Sequence, residues 1–255
     1  LSHFTGRVVY DRMETTGQFE TSNEVINQTF RNAYWGIRGN YRGMPTDCPQ
    51  RDERQGWLGD RATGCFGEAF VFNNAMLYSK WLQDIEDSQS PEGSISVVSP
   101  RYWTIYNDDV TWPSAYFYAA RMLWQQYGET APIRKHYASM KRYLERMQEV
   151  SMQDGILTRD TYGDWCMPPE RQELIHSQDP TRKTAGAVLS TTMYYSLLHL
   201  MTQFAEITGN QSDIPSFREL AAKVKEAYNA RYFDADSARY DNNTVTANIL
   251  SLQLK

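Results

Sequence analysis

Apolar residues recur at helical spacing along almost the whole chain, and this periodicity leaves little room for any architecture other than packed helices. Ile26, Phe30, Ala33, Tyr34 and Ile37 mark one face of a first helix. Thr21, with Glu24 three residues on, has the form of a capping box that would start it. Phe66, Ala69, Phe70, Asn73, Leu77, Trp81 and Ile85 predict a second helix. Ala115, Ala119, Met122 and Leu123 predict a third that ends near Gly128, and Ile133, Tyr137, Met140, Leu144 and Met147 a fourth. A fifth, from Thr184 to Thr208, carries Leu189, Met193, Leu197 and Met201 on one face and Tyr194, Leu198 and Ala205 on another. Two apolar faces predict a helix covered from two sides. A sixth starts at Ser216, with Glu219 as a second capping box, and runs through Phe217, Leu220, Val224 and Tyr228. A seventh begins near Asn243 and is still running at Lys255. Strand signals are weak and confined to Ser94 to Ser99 and Arg7 to Tyr10. The pattern predicts an all-α architecture of helical hairpins.

The connections between these helices are unequal. Residues 127–133 and 208–216 are short links, whereas 39–62, 88–111 and 151–183 are long, polar and aromatic. Long segments of this kind in a compact domain are usually functional or disordered, and their tryptophans and prolines argue against disorder. By their places in the helical order, all three could gather at one end of a bundle or barrel, where loops on a rigid scaffold form a ligand site. Composition narrows the options further. With 41% apolar and 22% charged residues the chain has material for a packed core. Its net charge of -5 argues against a nucleic-acid partner, and no apolar run approaches the ~20 residues of a membrane span. Cys48, Cys65 and Cys166 are too far apart for a metal-binding pair and odd in number, so free buried thiols are expected. No targeting segment is recognisable at Leu1-Ser2-His3-Phe4, which also lacks a starting Met.

The densest chemistry lies in Asp47-Cys48-Pro49-Gln50-Arg51-Asp52-Glu53-Arg54-Gln55-Gly56-Trp57-Leu58-Gly59-Asp60. A run of carboxylates and arginines is often just an exposed, salt-bridged turn. An exposed turn has no need of Trp57, however, and carboxylates and an arginine around an aromatic plate also suit sugar hydroxyls and a sugar face. A carboxyl group beside an indole can have its pKa raised by desolvation, as a general acid requires.

This segment, DCPQRDERQGWLGD, resembles the signature of the bacterial α-L-rhamnosidases, glycoside hydrolase family 78. Gly17-Gln18-Phe19-Glu20-Thr21-Ser22-Asn23 resembles the family's lead into its first barrel helix, Tyr162-Gly163-Asp164-Trp165 its later loop, and residues 191–255 its paired helices. The resemblance implies an (α/α)6 six-hairpin barrel that hydrolyses terminal α-L-rhamnosyl bonds of oligosaccharides, polysaccharides or glycosides with inversion and without a cofactor or metal. Residue by residue, it makes Glu53 the general acid, Asp47, Arg51 and Asp60 the groups that hold the rhamnose hydroxyls, and Trp57, Trp112 and Trp165 the aromatic wall. An inverting hydrolase needs its base ~6.5–9.5 Å from the acid, so Asp52 is too close along the chain and is expected to support the loop, paired with Arg54. The family commonly has an aspartate two residues after the second-loop tryptophan, where Ser114 stands here. Its base is a glutamate further downstream, and no residue of this chain occupies that position. Glu219 and Glu226 are read as surface charges.

Residues 1–20 are therefore expected to be a lead-in from an upstream region, and 21–255 the N-terminal part of the barrel, about its first half. Six helices and the start of a seventh make three hairpins of six, and a closed ring would need roughly 440 residues on this periodicity. Such a piece, lacking the base, should not turn over alone. Two rival functions remain: a related barrel glycosidase for another terminal sugar, and a carbohydrate-binding barrel without catalysis. His3, His136, His176 and His199 form no metal spacing, and Asp108 and Asp109 are expected to be loop residues. Asp164, Glu170 and Glu173 share the third long loop, where Asp164 could orient Trp165 or reach the sugar. A cytoplasmic or periplasmic bacterial setting fits equally well with the lack of a disulfide framework.

Overall fold

The computed structural model describes residues 3–164, 171–174 and 179–255. Among the described residues there are eight α-helices: α1 (Glu24–Gly39), α2 (Leu58–Ala69), α3 (Ala75–Asp87), α4 (Ala115–Tyr127), α5 (Ala131–Ser151), α6 (Gly186–Thr208), α7 (Ile214–Tyr232) and α8 (Val245–Ser251). α2 and α3 pack on α4, α5 on α6, and α6 on α7. None is long and apolar enough to cross a membrane.

The stripe from Phe66 to Ile85 is two helices, not one. Between α2 and α3 the chain opens at residues 70–74, where the N-terminal lead-in crosses it. The amides of Thr16 and Gly17 donate to the Val71 carbonyl (2.9 and 3.1 Å), and the Asn73 amide donates to the Glu14 carbonyl (2.9 Å). Val71 and Asn73 therefore bond across the chain at a point where an uninterrupted helix would close i to i−4 bonds. Apolar periodicity runs through the break because both flanking helices bury the same side.

The helix starts differ too. Asn23, not Thr21, caps α1: its side chain accepts from the amides of Val25 (2.9 Å) and Ile26 (3.4 Å). Thr21 instead binds the buried Asn27 side chain through its amide (2.8 Å) and hydroxyl (3.1 Å). α7 starts at Ile214, before Ser216, with Pro215 in its first turn, where a missing N–H costs nothing. α4 stops at Gly128 and α6 at Thr208 as expected, whereas the last helix ends at Ser251 and gives way to a short 3-10 turn rather than running to Lys255.

Neither weak strand candidate is a strand. Residues 7–10 are irregular, and of 94–99 only Val98 makes a single bridge, to Trp57. Among the described residues the regular strands are two tiny hairpins, β1 (Met152–Gln153) with β2 (Ile156–Leu157) and β3 (Phe233–Asp234) with β4 (Arg239–Tyr240). Asp154-Gly155 turns the first, with φ of 49° and 84°. Two successive positive-φ residues are what a tight hairpin turn demands, and Asp-Gly supplies them.

α6 is the centre of the core. Fourteen of its twenty-three residues are buried, among them both Leu197 and Leu198, so it is covered from two sides as its pattern predicts. Some of its hydroxyls are satisfied within the helix, Thr192 donating to Val188 O (2.9 Å) and Thr202 to Leu198 O (3.0 Å), while the buried Tyr194 hydroxyl donates to Leu144 O of α5 (3.0 Å). The core helices also reach out to the loops. The buried Trp81 of α3 donates its indole N–H to Ser99 O (2.8 Å), and the buried Tyr143 of α5 donates its hydroxyl to Asp109 O. Each such polar atom would be costly to bury unpaired, so the aromatic core and the loop positions are determined together.

Candidate active site

Three loops meet at one end of the helical stack. Residues 40–57 join 88–114 through Leu58 N to Val97 O (2.9 Å) and Ser99 N to Gly56 O (2.9 Å). Residues 88–114 join 152–185 through the Thr111 hydroxyl on Asp160 (2.8 Å) and the Thr161 amide and hydroxyl on Asp109 (both 2.9 Å). Two glycines of the acid segment make the closeness possible. A Cβ on Gly56 would stand 1.9 Å from the Ser99 carbonyl oxygen, and one on Gly59 would stand 2.3 Å from the Trp112 ring. Real side chains do not tolerate either distance.

The carboxylates are arranged around one arginine. Arg51 donates from Nε to Glu53 (2.6 Å) and from its terminal nitrogen to Asp47 (3.2 Å). The Glu53 carboxylate also accepts the indole N–H of Trp57 at 2.7 Å. So the indole meets this carboxyl with its polar edge, not with the apolar face that desolvation would call for. The Glu53 side chain keeps a quarter of its surface open, enough for an incoming group to reach it. Asp47 is almost closed off, and its other oxygen accepts the Gln55 amide (2.7 Å). It therefore pins the two ends of the loop. Asp60, in the first turn of α2, lies within the electrostatic reach of Asp47 and Glu53. It is exposed by area, yet crowding by nearby atoms pushes its carboxyl pKa up, with Arg61 pulling it back. Asp52 is fully exposed and pairs with Arg54 (3.5 Å), as a loop support would.

The aromatic side of the cleft is a connected set. Trp112 stacks on Tyr162 with centroids 4.5 Å apart. Trp57 meets Tyr162 edge-on at 6.0 Å and Trp103 edge-on at 6.1 Å. Trp165, Cys166, Glu170 and His176 lie outside the described residues. Asp164 does not point to an open cleft, since it accepts the Thr184 amide (3.1 Å) and hydroxyl (2.7 Å) and ties the third loop to the start of α6. Ser114 is buried, its hydroxyl donated to Thr111 O at 2.6 Å, so it serves the loop. Asp108 pairs with Arg146 (3.1 Å), and the buried Asp109 accepts from Thr161 (2.9 Å), so both serve to hold loops. Glu219 and Glu226 lie exposed on α7.

Asp47, Cys48 and Glu53 bring three potential metal donors within 4.8 Å of one another. They suit a metal poorly. Arg51 already pairs with both carboxylates, and burial pushes the Cys48 thiol pKa up, away from the thiolate a metal needs. Cys48 and Cys65 are free and buried. A groove of about 490 Å³ between the lead-in and α1 is lined by Phe19, Asn27, Phe30 and Trp35, with none of the acid segment in its wall.

A mostly helical hairpin domain with a carboxylate–arginine–tryptophan cleft built from loops at one end is the design of the six-hairpin α/α glycosidases. The chain belongs to the family described as the bacterial alpha-L-rhamnosidase 6 hairpin glycosidase domain, whose model matches residues 14–255. A curated alpha-L-rhamnosidase of Formosa agariphila is 28% identical over 97% of this chain and 26% of its own length. A solved alpha-L-rhamnosidase from Dictyoglumus thermophilum superposes with a TM-score of 0.87 at 35% identity, over 98% of this chain and 28% of that one. A Streptomyces avermitilis alpha-L-rhamnosidase, solved in complex with L-rhamnose, gives 0.87 at 26% identity, over 98% of this chain and 23% of that one. The chain thus spans about a quarter of the length of the relatives it matches.

The cluster Asp47, Arg51, Glu53, Trp57 and Asp60 is brought together as the segment's density predicts, and Trp112 joins it from the second loop. Sequence reasoning missed Tyr162, which bridges Trp57 and Trp112, and Trp103, which flanks Trp57. A signal existed for both, since Tyr162 directly precedes Gly163-Asp164-Trp165 and Tyr102-Trp103 stands out in a polar loop.

Proposed function

We propose that residues 21–255 form the N-terminal part of an inverting glycoside hydrolase barrel that removes terminal α-L-rhamnose from oligosaccharides, polysaccharides or glycosides. The observation that carries this reading is the Glu53 carboxylate, held by Trp57 and Arg51 beside an aromatic wall yet left open to an incoming group. The relatives named alpha-L-rhamnosidase, one of them holding L-rhamnose, support the sugar. Glu53 donates its proton to the leaving oxygen as the bond to the anomeric carbon breaks. Water attacks that carbon from the opposite face, and a base from outside residues 1–255 takes the water's proton. Arg51 and Asp60 hold sugar hydroxyls. Asp47 shares in this and fixes the loop, while Trp57, Trp112 and Trp165 pack on the ring and its methyl group. Residues 1–20 serve as the lead-in, and residues 1–255 by themselves, without the base, do not turn over.

The test is hydrolysis of a panel of aryl glycosides by the intact protein. Cleavage of the α-L-rhamnoside alone, with the β-anomer of rhamnose as first product, supports the proposal. Preference for another sugar overturns the substrate, and retained activity of Glu53→Gln on an unactivated rhamnoside overturns the acid.

A further inference from the structure

The second loop ends in an exposed aromatic pair that the reaction above does not use. Its base is firmly held. Ser99 N donates to Gly56 O (2.9 Å), Val97 N to Ile105 O (3.0 Å), and the Trp81 indole to Ser99 O (2.8 Å). The Tyr106 hydroxyl bonds Ser88 O and accepts from Arg101 (3.0 Å). On this anchored frame Trp103 is 36% exposed and Tyr102 is 82% exposed. Large aromatic side chains left open on a pinned loop, next to a binding cleft, mark a surface kept for contact.

Their direction follows from the acid. A general acid stands, by its role, on the leaving-group side of the scissile bond. Glu53 accepts the Trp57 indole N–H, and Trp57 touches Trp103 edge-on at 6.1 Å. Exposure rises along the aromatic series, from the half-buried Trp112 and Trp57 to Trp103 and then Tyr102. A terminal sugar occupies the closed end of such a series, and whatever it is attached to leaves along the open end.

We propose that Trp103 and Tyr102 form a platform for the leaving group, accepting the ring of the sugar to which the terminal residue is joined. This rests on the reaction proposed above and extends it from the terminal sugar to its neighbour. The platform selects substrates with a second ring over those with a small aglycone, because a methyl group has no face to lay on the rings.

The experiment compares a rhamnosyl-glucose disaccharide with methyl α-L-rhamnoside in the intact protein, using Tyr102→Ala, Trp103→Ala and Trp103→Phe. Expected is a fall of about tenfold or more in kcat/KM on the disaccharide for Trp103→Ala, and a smaller fall for Tyr102→Ala. The methyl rhamnoside should change less than twofold, the Kd for free L-rhamnose should hold, and Trp103→Phe should recover most of the loss. An equal fall on both substrates would overturn the platform and make Trp103 a positioning residue for Trp57. No fall on either would also overturn it. If the wild-type protein cleaves neither rhamnoside, the reaction assigned above fails instead. Calorimetry then reads the platform directly: it stands only if Trp103→Ala weakens disaccharide binding and leaves the monosaccharide unchanged.

Discussion

Arg61 and Glu68 on α2 form an ion pair whose side chains are 11% and 5% exposed, while Arg51 and Glu53, a few residues upstream, form one at 56% and 25%. Both glutamates also accept from an aromatic side chain. Glu68 takes the hydroxyls of Tyr41 and Tyr78, and Glu53 takes the Trp57 indole. The buried pair is closed on all sides, and next to it the Tyr41 and Tyr78 hydroxyls are pushed far up in pKa by burial and by the charge of Glu68. A buried pair is tolerable only when its partners are nearly all satisfied, and here only Arg61 Nε lacks a partner, shut away from any ligand. The open pair keeps a reachable carboxylate. The two are also connected, because Arg61 donates to the carbonyl of Thr46, the residue before Asp47. One pair is the footing on which the other stands.

The largest effect that would break this comparison is chemical. Glu53→Gln in the intact protein should lower kcat by about 10³-fold, with L-rhamnose affinity within a few-fold and the unfolding midpoint unchanged. A large loss of stability there would mean that the open pair is structural after all. Next in size is Glu68→Ala, which strands Arg61 in the interior and should cost ~3–5 kcal/mol in urea unfolding. A loss under ~1 kcal/mol would show that water reaches the pair. Gly59→Ala forces a methyl group into the Trp112 ring and should cost ~1–3 kcal/mol by overpacking, together with a change in near-UV circular dichroism from the displaced indole. Arg51→Ala, by contrast, should cost less than ~1 kcal/mol of stability while weakening sugar binding.

The smallest effect lies away from both pairs. His136 is buried with its Nδ1 at 2.8 Å from Glu86, and burial lowers its pKa more than Glu86 raises it. Its neutral form is therefore favoured in the folded state, and the unfolded chain binds the extra proton first. Stability should fall as pH drops below the ordinary histidine value of ~6.5. His136→Gln should flatten that part of a urea-midpoint profile measured between pH 7 and 5.

Much of this was legible in the chain order. The stripes of α4, α5, α6 and α7 appear where their spacing puts them, and the dense segment at residues 47–60 holds the candidate cluster. The misses share one cause. The break between α2 and α3 depends on a lead-in some 55 residues upstream, and the cap of α1 turns on whether Asn23 or Thr21 wins the first amides. Asp164 looked available from its loop and is held by Thr184, and Trp103 and Tyr162 acquire a role only beside Trp57. Each depends on a partner distant in the chain or on a competition between near-equal local bonds.

Helical character, the burial of α6 and the candidate chemistry of Asp47 to Asp60 were determined by the sequence alone, because 3.6-residue periodicity and residue type are local properties. Which carboxylate is closed and which is open was decided only by tertiary structure. Arg61–Glu68 and Arg51–Glu53 are alike in composition, and their difference in exposure comes from where α2, the lead-in and the second loop close over them.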